Sequence, residues 1–283
     1  MVNVRQDVPV TPEGVLDWSA WVARIAAEYP QLATQPLVDC CAWIQKKHPD
    51  QLAISLELGE LVADLRLDTA SVLAALVYRL VRTERVSKSD LRTRLGNEAT
   101  DLAFSVAAMA TTSLLEMSDS PMLAKEQQSQ VENVKRMLAS MIDDARVAAI
   151  KLAERVLALR QAKDYEPQRR ERIAQEAGSI FSPLANRLGI WQLKWELEDL
   201  SLRYLREDIY LGIAKQLSQK RQQREQQVQA MTERVVVLLG DHGINAEVYG
   251  RAKNIFSIWL KMQAKSIPIE EVYDVRALRI IVD

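Results

Sequence analysis

The sequence predicts a mainly α fold: an all-helical body that passes, near its C-terminus, into the first β-α-β unit of an α/β domain. Three observations carry this. The composition is 48% hydrophobic but only 6% aromatic, the balance expected of Leu- and Ala-rich helix packing. Apolar residues recur three and four apart through most of the chain, which gathers them on one helix face. From Asn245 onward the pattern changes to a short strand-like run, a helix, and an alternating Val/Ile/Leu run from Val272 to Val282.

Residues 1–36 hold Pro9, Pro12, Pro30 and Pro36 around one candidate helix, Val15 to Glu28, and read as a docked N-terminal extension. Helical periodicity follows from Leu37 to Lys47 and from Ala53 to Leu65, broken at His48-Pro49-Asp50, where His48 reads as a loop residue. The next helix lies within Leu67 to Glu84, with Asp68 or Thr69 as its cap. Ser113 to Ser129 is polar and reads as a loop, whereas Met137 to Met141 and Ala145 to Val156 carry core-helix patterns. From Asp208 to Leu239 the spacing predicts one long helix or two in line, with a polar middle from Lys220 to Gln227.

Composition also excludes classes of function. A net charge of -1 argues against bulk nucleic-acid binding. No run approaches the ~20 apolar residues of a membrane helix, so a cytoplasmic protein that engages no membrane is expected. Cys40 and Cys41 are adjacent and poorly placed to bond each other, which fits a reducing compartment. With two histidines, His48 and His242, a histidine-rich hydrolytic metal site cannot be assembled.

The chemistry gathers at the C-terminal end. On a helix starting near Lys253, the residues Lys253, Ser257 and Lys261 share one face, opposite Ile255, Ile258, Trp259 and Met262. Gly250 and Arg251 precede that helix, and its free N–H groups and dipole suit an anion. The strand-helix-strand order implies a right-handed crossover. On the second strand Asp274 and Arg276 fall to one side and Arg279 to the other.

Those residues carry a resemblance. The pattern Gly250-Arg251, Lys253, Phe256-Ser257-Ile258, Lys261-Met262 and Asp274-Val275-Arg276-Ala277-Leu278-Arg279 resembles the opening of the synthetase domain of long RelA/SpoT-type (p)ppGpp synthetases. Those are GTP pyrophosphokinases of the stringent response, with a nucleotidyltransferase-like fold. The resemblance implies that Asp274 is catalytic and binds the Mg²⁺ accompanying ATP, and that Lys253, Ser257 and Lys261 contact ATP phosphates. Arg251 and Arg279 would stack on the adenine, with Arg276 in support. GDP or GTP would be the acceptor, and ribosome and uncharged tRNA would activate through regions largely absent here.

The helix Leu67 to Glu84 resembles the same family's HD-type hydrolase domain, in degenerate form. A His-Asp pair of active hydrolases is replaced by Tyr78 and Arg79, and a Glu-Asp pair by Arg82 and Thr83. Leu58 stands for a histidine and Glu154 for a metal-binding aspartate, so the resemblance implies a pseudo-hydrolase without Mn²⁺. The segments Ser182 to Ile190 and Leu193 to Leu200 resemble the family's inter-domain link, with Asn186 where hydrolase-active relatives carry histidine.

The expected domains are therefore an extension at 1–36, a pseudo-hydrolase domain at 37–200, connecting helices at 201–243 and the start of a synthetase domain at 244–283. Because the family's general base and guanine-stacking residue lie further on, this stretch alone is expected to be an inactive N-terminal fragment. The alternative is a non-catalytic regulatory or interaction module. A weaker third reading is RNA contact through Arg221 and Arg224, against which Glu225 and Glu233 are interleaved.

Overall fold

Asp17 decides where the first helix begins. Its carboxylate accepts the Ala20 N–H at 2.9 Å, so α1 runs Trp18–Glu28 and starts later than the apolar spacing alone suggests. Upstream, Val10 and Leu16 form an antiparallel bridge. The computed structural model describes residues 8–11, 14–110, 144–219, 221–272 and 276–282. The expected loop from Ser113 to Ser129 and the helix at Met137 to Met141 lie outside the described residues.

The chain divides into two compact units, Asp7–Lys194 and one built on Trp195–Asp283. The first continues with α2 (Thr34–Lys47), α3 (Leu52–Asp64), α4 (Thr69–Arg82) and α5 (Lys88–Ala110). It ends with α6 (Ala145–Gln161), α7 (Pro167–Glu176), a π-helical turn (Ala177–Phe181) and α8 (Ser182–Arg187). Asp68 caps α4 by accepting the Ser71 N–H at 2.9 Å. Two helical runs meet inside α5 at Gly96, whose φ of 80° suits glycine. The extension is part of this core: Trp21 is fully buried, and Trp21 Nε1 and the Arg24 guanidinium both donate to Glu60 on α3.

Helices α4 and α6 form the middle of this unit. Ser71 to Tyr78 are buried without interruption on α4, and Val147 to Leu157 on α6. A helix buried on every side must satisfy any charge it carries from within the protein. That requirement governs Lys151, Glu154 and Arg155.

Helix α9 (Trp191–Leu205) leads into the second unit, which holds α10 (Glu207–Gln219), α11 (Arg221–Asp241), β1 (Ala246–Ala252), α12 (Ile255–Lys265) and β2 (Arg276–Val282). Of the two alternatives expected from Asp208 to Leu239, one long helix or two, the chain forms two, α10 and α11. Ile213 of α10, Ile258 of α12, and Ile269 and Val272 beyond it make the local core, with Ile209, Leu217, Trp259 and Met262 packed around.

The strands correct one expectation. β1 and β2 pair antiparallel, with Ala252 opposite Arg276 and Ala246 opposite Val282, so no parallel crossover exists here. The second strand therefore enters at the end where the first left. An eleven-residue helix advances the chain by roughly 16 Å. The connection after it turns at Ser266, which takes a left-handed φ of 51°, and is long enough to retrace that distance. Alternation reports which residues face the core and carries no information on strand direction. Among the described residues no helix is long and apolar enough to cross a membrane.

Candidate active site

Helix α12 begins two residues later than its spacing suggests. Asn254 takes an extended N-cap conformation (φ −67°, ψ 153°), so the first helical residue is Ile255 and Lys253 stands in the extended segment between β1 and α12. The expected three-residue row on one helix is corrected accordingly. Ser257 and Lys261 keep the four-residue spacing on α12, and Lys253 approaches from the strand end. All three are half-buried, while Ile258 behind them is fully buried.

The N-terminus of α12 is already occupied. The N–H of Phe256 donates to Asp199 Oδ1 at 2.8 Å and that of Ile255 to Oδ2 at 3.3 Å. The Asn254 amide donates to Asp199 Oδ1 at 3.3 Å and to Glu198 Oε2 at 3.2 Å. The expected free N–H groups are therefore satisfied by a carboxylate from α9. Burial pushes the Asp199 carboxyl up to about 6, against the opposing pull of the Phe256 and Ile255 N–H groups.

Strand register sorts the arginines. Tyr249 pairs with Arg279 and Arg251 with Ala277, so positions 249, 251 and 279 belong to one sheet face, with 251 and 279 diagonal neighbours. Arg279 and Tyr249 are both exposed. Position 276 falls on the other face, beside Gly250, where a side-chain Cβ would meet Val228 Cγ1 of α11 at 2.1 Å. Gly250 is thus a strand residue over which α11 passes closely, rather than part of a turn. Asp274 lies outside the described residues, and Arg251 and Arg276 enter through their backbone pairing alone.

The positions that the resemblance assigns to a degenerate hydrolase lie on α3, on α6, and on and just after α4 of the first unit, where Arg82 and Glu154 meet. Leu58 and Tyr78 are buried, Thr83 is exposed and bonds back to the Arg79 carbonyl, and Arg79 is half-buried. Arg82 Nη1 reaches Glu154 Oε1 at 3.2 Å. The same carboxylate accepts Lys151 Nζ at 2.9 Å and Arg155 Nε and Nη2 at 2.7 and 2.8 Å. Arg155 Nη1 also lies 3.5 Å from Glu176 Oε2.

Burial works against the Glu154 charge, but Arg155 and Lys151 outweigh it and hold the carboxyl well below its usual range. The Lys151 ammonium is drawn by burial down to about 8, with Glu154 opposing. Burial raises Glu176, with Arg155 opposing. Three cations thus contact the Glu154 carboxylate and supply positive charge beside it themselves. A divalent cation does not fit this donor set, because it would meet the buried Lys151 and Arg155 charges, with the exposed Arg82 guanidinium beside them.

Comparison with known proteins bears on both regions. A model described as "HD domain" matches residues 41–191, more than half of the chain. A GTP pyrophosphokinase of Escherichia coli K12 is 37% identical across all of this chain, and one of Photobacterium angustum is 42% identical across 84% of it. This chain belongs to the HD-domain family, as a RelA/SpoT-type protein. A Synechocystis relative named as a probable guanosine-3′,5′-bis(diphosphate) 3′-pyrophosphohydrolase is 34% identical across 84% of the chain. The chain spans 38%, 32% and 30% of these three curated relatives.

Sequence reasoning missed several residues that this RelA/SpoT-type chain places at the two sites: Asp199, and the Lys151, Arg155 and Glu176 partners of the Glu154 region. For Lys151 a signal existed, since it precedes Glu154 by three within the largely apolar run Val147 to Leu157. Asp199 left none, because its partners lie more than fifty residues downstream.

Proposed function

We propose that this chain serves an ATP:GTP/GDP 3′-pyrophosphotransferase, which moves the β,γ-pyrophosphoryl group of ATP to the 3′-hydroxyl of GDP or GTP and makes (p)ppGpp. The carrying observation is the similarity to a GTP pyrophosphokinase across the whole of this chain, which takes in residues 246–282 as well as the HD-type region.

In this reading Lys253, Ser257 and Lys261 hold the triphosphate, and their charges and hydroxyl stabilise the phosphoryl oxygens as the bond to the α-phosphate breaks. Arg279 and Arg251 stack on the adenine, a role supported by the shared sheet face of positions 279 and 251. Asp274 is the carboxylate assigned to Mg²⁺, which supplies charge neutralisation across the phosphates when bound. Arg276 is assigned to support Asp274. Ribosome and uncharged tRNA belong to the reading by family resemblance only, and no residue described above is assigned to them. A cytoplasmic location is supported by Cys40 and Cys41, both buried and free.

The HD-type domain, at 37–200 in the proposed division, does not hydrolyse the product. Support comes from the Arg82, Lys151 and Arg155 cations around Glu154. The deciding assay uses the product of the full reading frame beside Asp274→Asn. AMP and ppGpp should form from ATP and GDP with Mg²⁺ in the first and fall to background in the second. Equal rates would remove Asp274 from the mechanism, and no product from either would remove the synthetase reading. Added Mn²⁺ should bring no release of pyrophosphate from ppGpp; turnover abolished by a chelator would overturn the pseudo-hydrolase.

A further inference from the structure

The clamp on α12 comes from a distant helix. Asn254, at the N-cap position, makes no capping bond with its own side chain. Asp199 on α9 supplies the bonds instead, to the Ile255 and Phe256 N–H groups and to the Asn254 amide. Glu198, buried beside it, holds the same amide. Three successive residues, Asn254, Ile255 and Phe256, are thereby fixed between Lys253 and Ser257.

Two consequences follow. A phosphate brought to this helix end would meet the Asp199 carboxylate, which already takes the N–H groups and the favourable end of the helix dipole. Phosphates are therefore met by side chains rather than by the helix terminus. The positions of those side chains depend in turn on how α12 enters. Lys253 precedes the clamped triad and Ser257 follows it directly, so a change in helix entry moves both.

We propose that Asp199 is a positioning residue for a nucleoside triphosphate: by pinning the N-terminus of α12 from α9, it sets where Lys253 and Ser257 meet the phosphates. This rests on the nucleotide-binding reading given above. Asparagine at the position keeps an oxygen that can accept the Phe256 N–H, and alanine keeps none.

The test is steady-state kinetics on the full reading-frame product carrying Asp199→Ala or Asp199→Asn, together with hydrogen exchange of peptides spanning α12. Asp199→Ala should raise KM for ATP about tenfold with a smaller change in kcat, and the α12 amides should exchange faster. Asp199→Asn should restore KM to within about threefold of wild type, since it restores the acceptor. KM for GDP should be unchanged in both, a pattern that general loss of folded protein would not produce. Unchanged KM for ATP in Asp199→Ala despite faster exchange would overturn the proposal. So would a lower KM, which would make Asp199 a competitor of the phosphates. Wild-type protein that does not turn over ATP would instead sink the nucleotide reading on which the proposal rests.

Discussion

Arg82 Nη1 of α4 donates to Glu154 Oε1 of α6 at 3.2 Å, across 72 residues of sequence. Lys151 and Arg155 donate to the same carboxylate, so Glu154 is the shared anion of a buried ionic cluster with Arg82 at its exposed edge. The domain keeps its fold because these charges compensate one another. Removing the shared anion without its cations leaves charges in a dry interior.

Glu154→Gln should therefore be strongly destabilising. It leaves Lys151 and Arg155 buried without their shared anion, and the expected loss is about 3–5 kcal/mol. Urea unfolding followed by circular dichroism on the 283-residue chain measures it. A loss below about 1 kcal/mol would show that water reaches the cluster.

Lys151→Met should be far milder, since Glu154 keeps both Arg155 bonds and the desolvated ammonium is removed. The two proteins should also differ with pH. A lysine held at about 8 when folded binds fewer protons than the unfolded chain between pH 8 and about 10.5. Stability of the wild type relative to Lys151→Met should thus rise across that window, by about 1–3 kcal/mol. A flat difference from pH 7 to 10 would contradict the burial of a charged Lys151.

Gly250→Ala should strain the second unit, because its Cβ would fall 2.1 Å from Val228 Cγ1. Overpacking of this kind costs about 1–3 kcal/mol. Val228→Ala in the same chain should recover part of the loss, and a double-mutant cycle from thermal unfolding would detect the coupling. Additive effects would show that α11 does not pass closely over β1.

Arg279→Lys keeps the charge and discards the planar guanidinium. On the exposed face shared with Tyr249, KM for ATP should rise about tenfold in the full reading-frame product. An unchanged KM would assign Arg279 to another task.

Most helices of the first unit are legible because their signals are local. Asp68 marks the start of α4, and His48-Pro49 separates α2 from α3, each within a turn of the residue it affects. The start of α12 was not legible. The extended Asn254 conformation is held by Asp199, across a sequence gap that no window of helical periodicity spans. Strand direction escaped for a related reason: the alternating run after Val272 fits either sense, and the pairing of Ala252 with Arg276 and Ala246 with Val282 is what makes it antiparallel.

By itself, the sequence determined the residue types available for chemistry. It placed Lys253, Ser257, Lys261 and Arg279 within one short stretch and left two histidines in the whole chain, and those facts hold however the chain folds. Tertiary structure alone decided their company: Asp199 on the α12 terminus, Arg279 diagonal to position 251, and three cations closing on Glu154. The physical reason is that burial turns a charge into an obligation for a partner, and partners are chosen by packing between elements far apart in the chain.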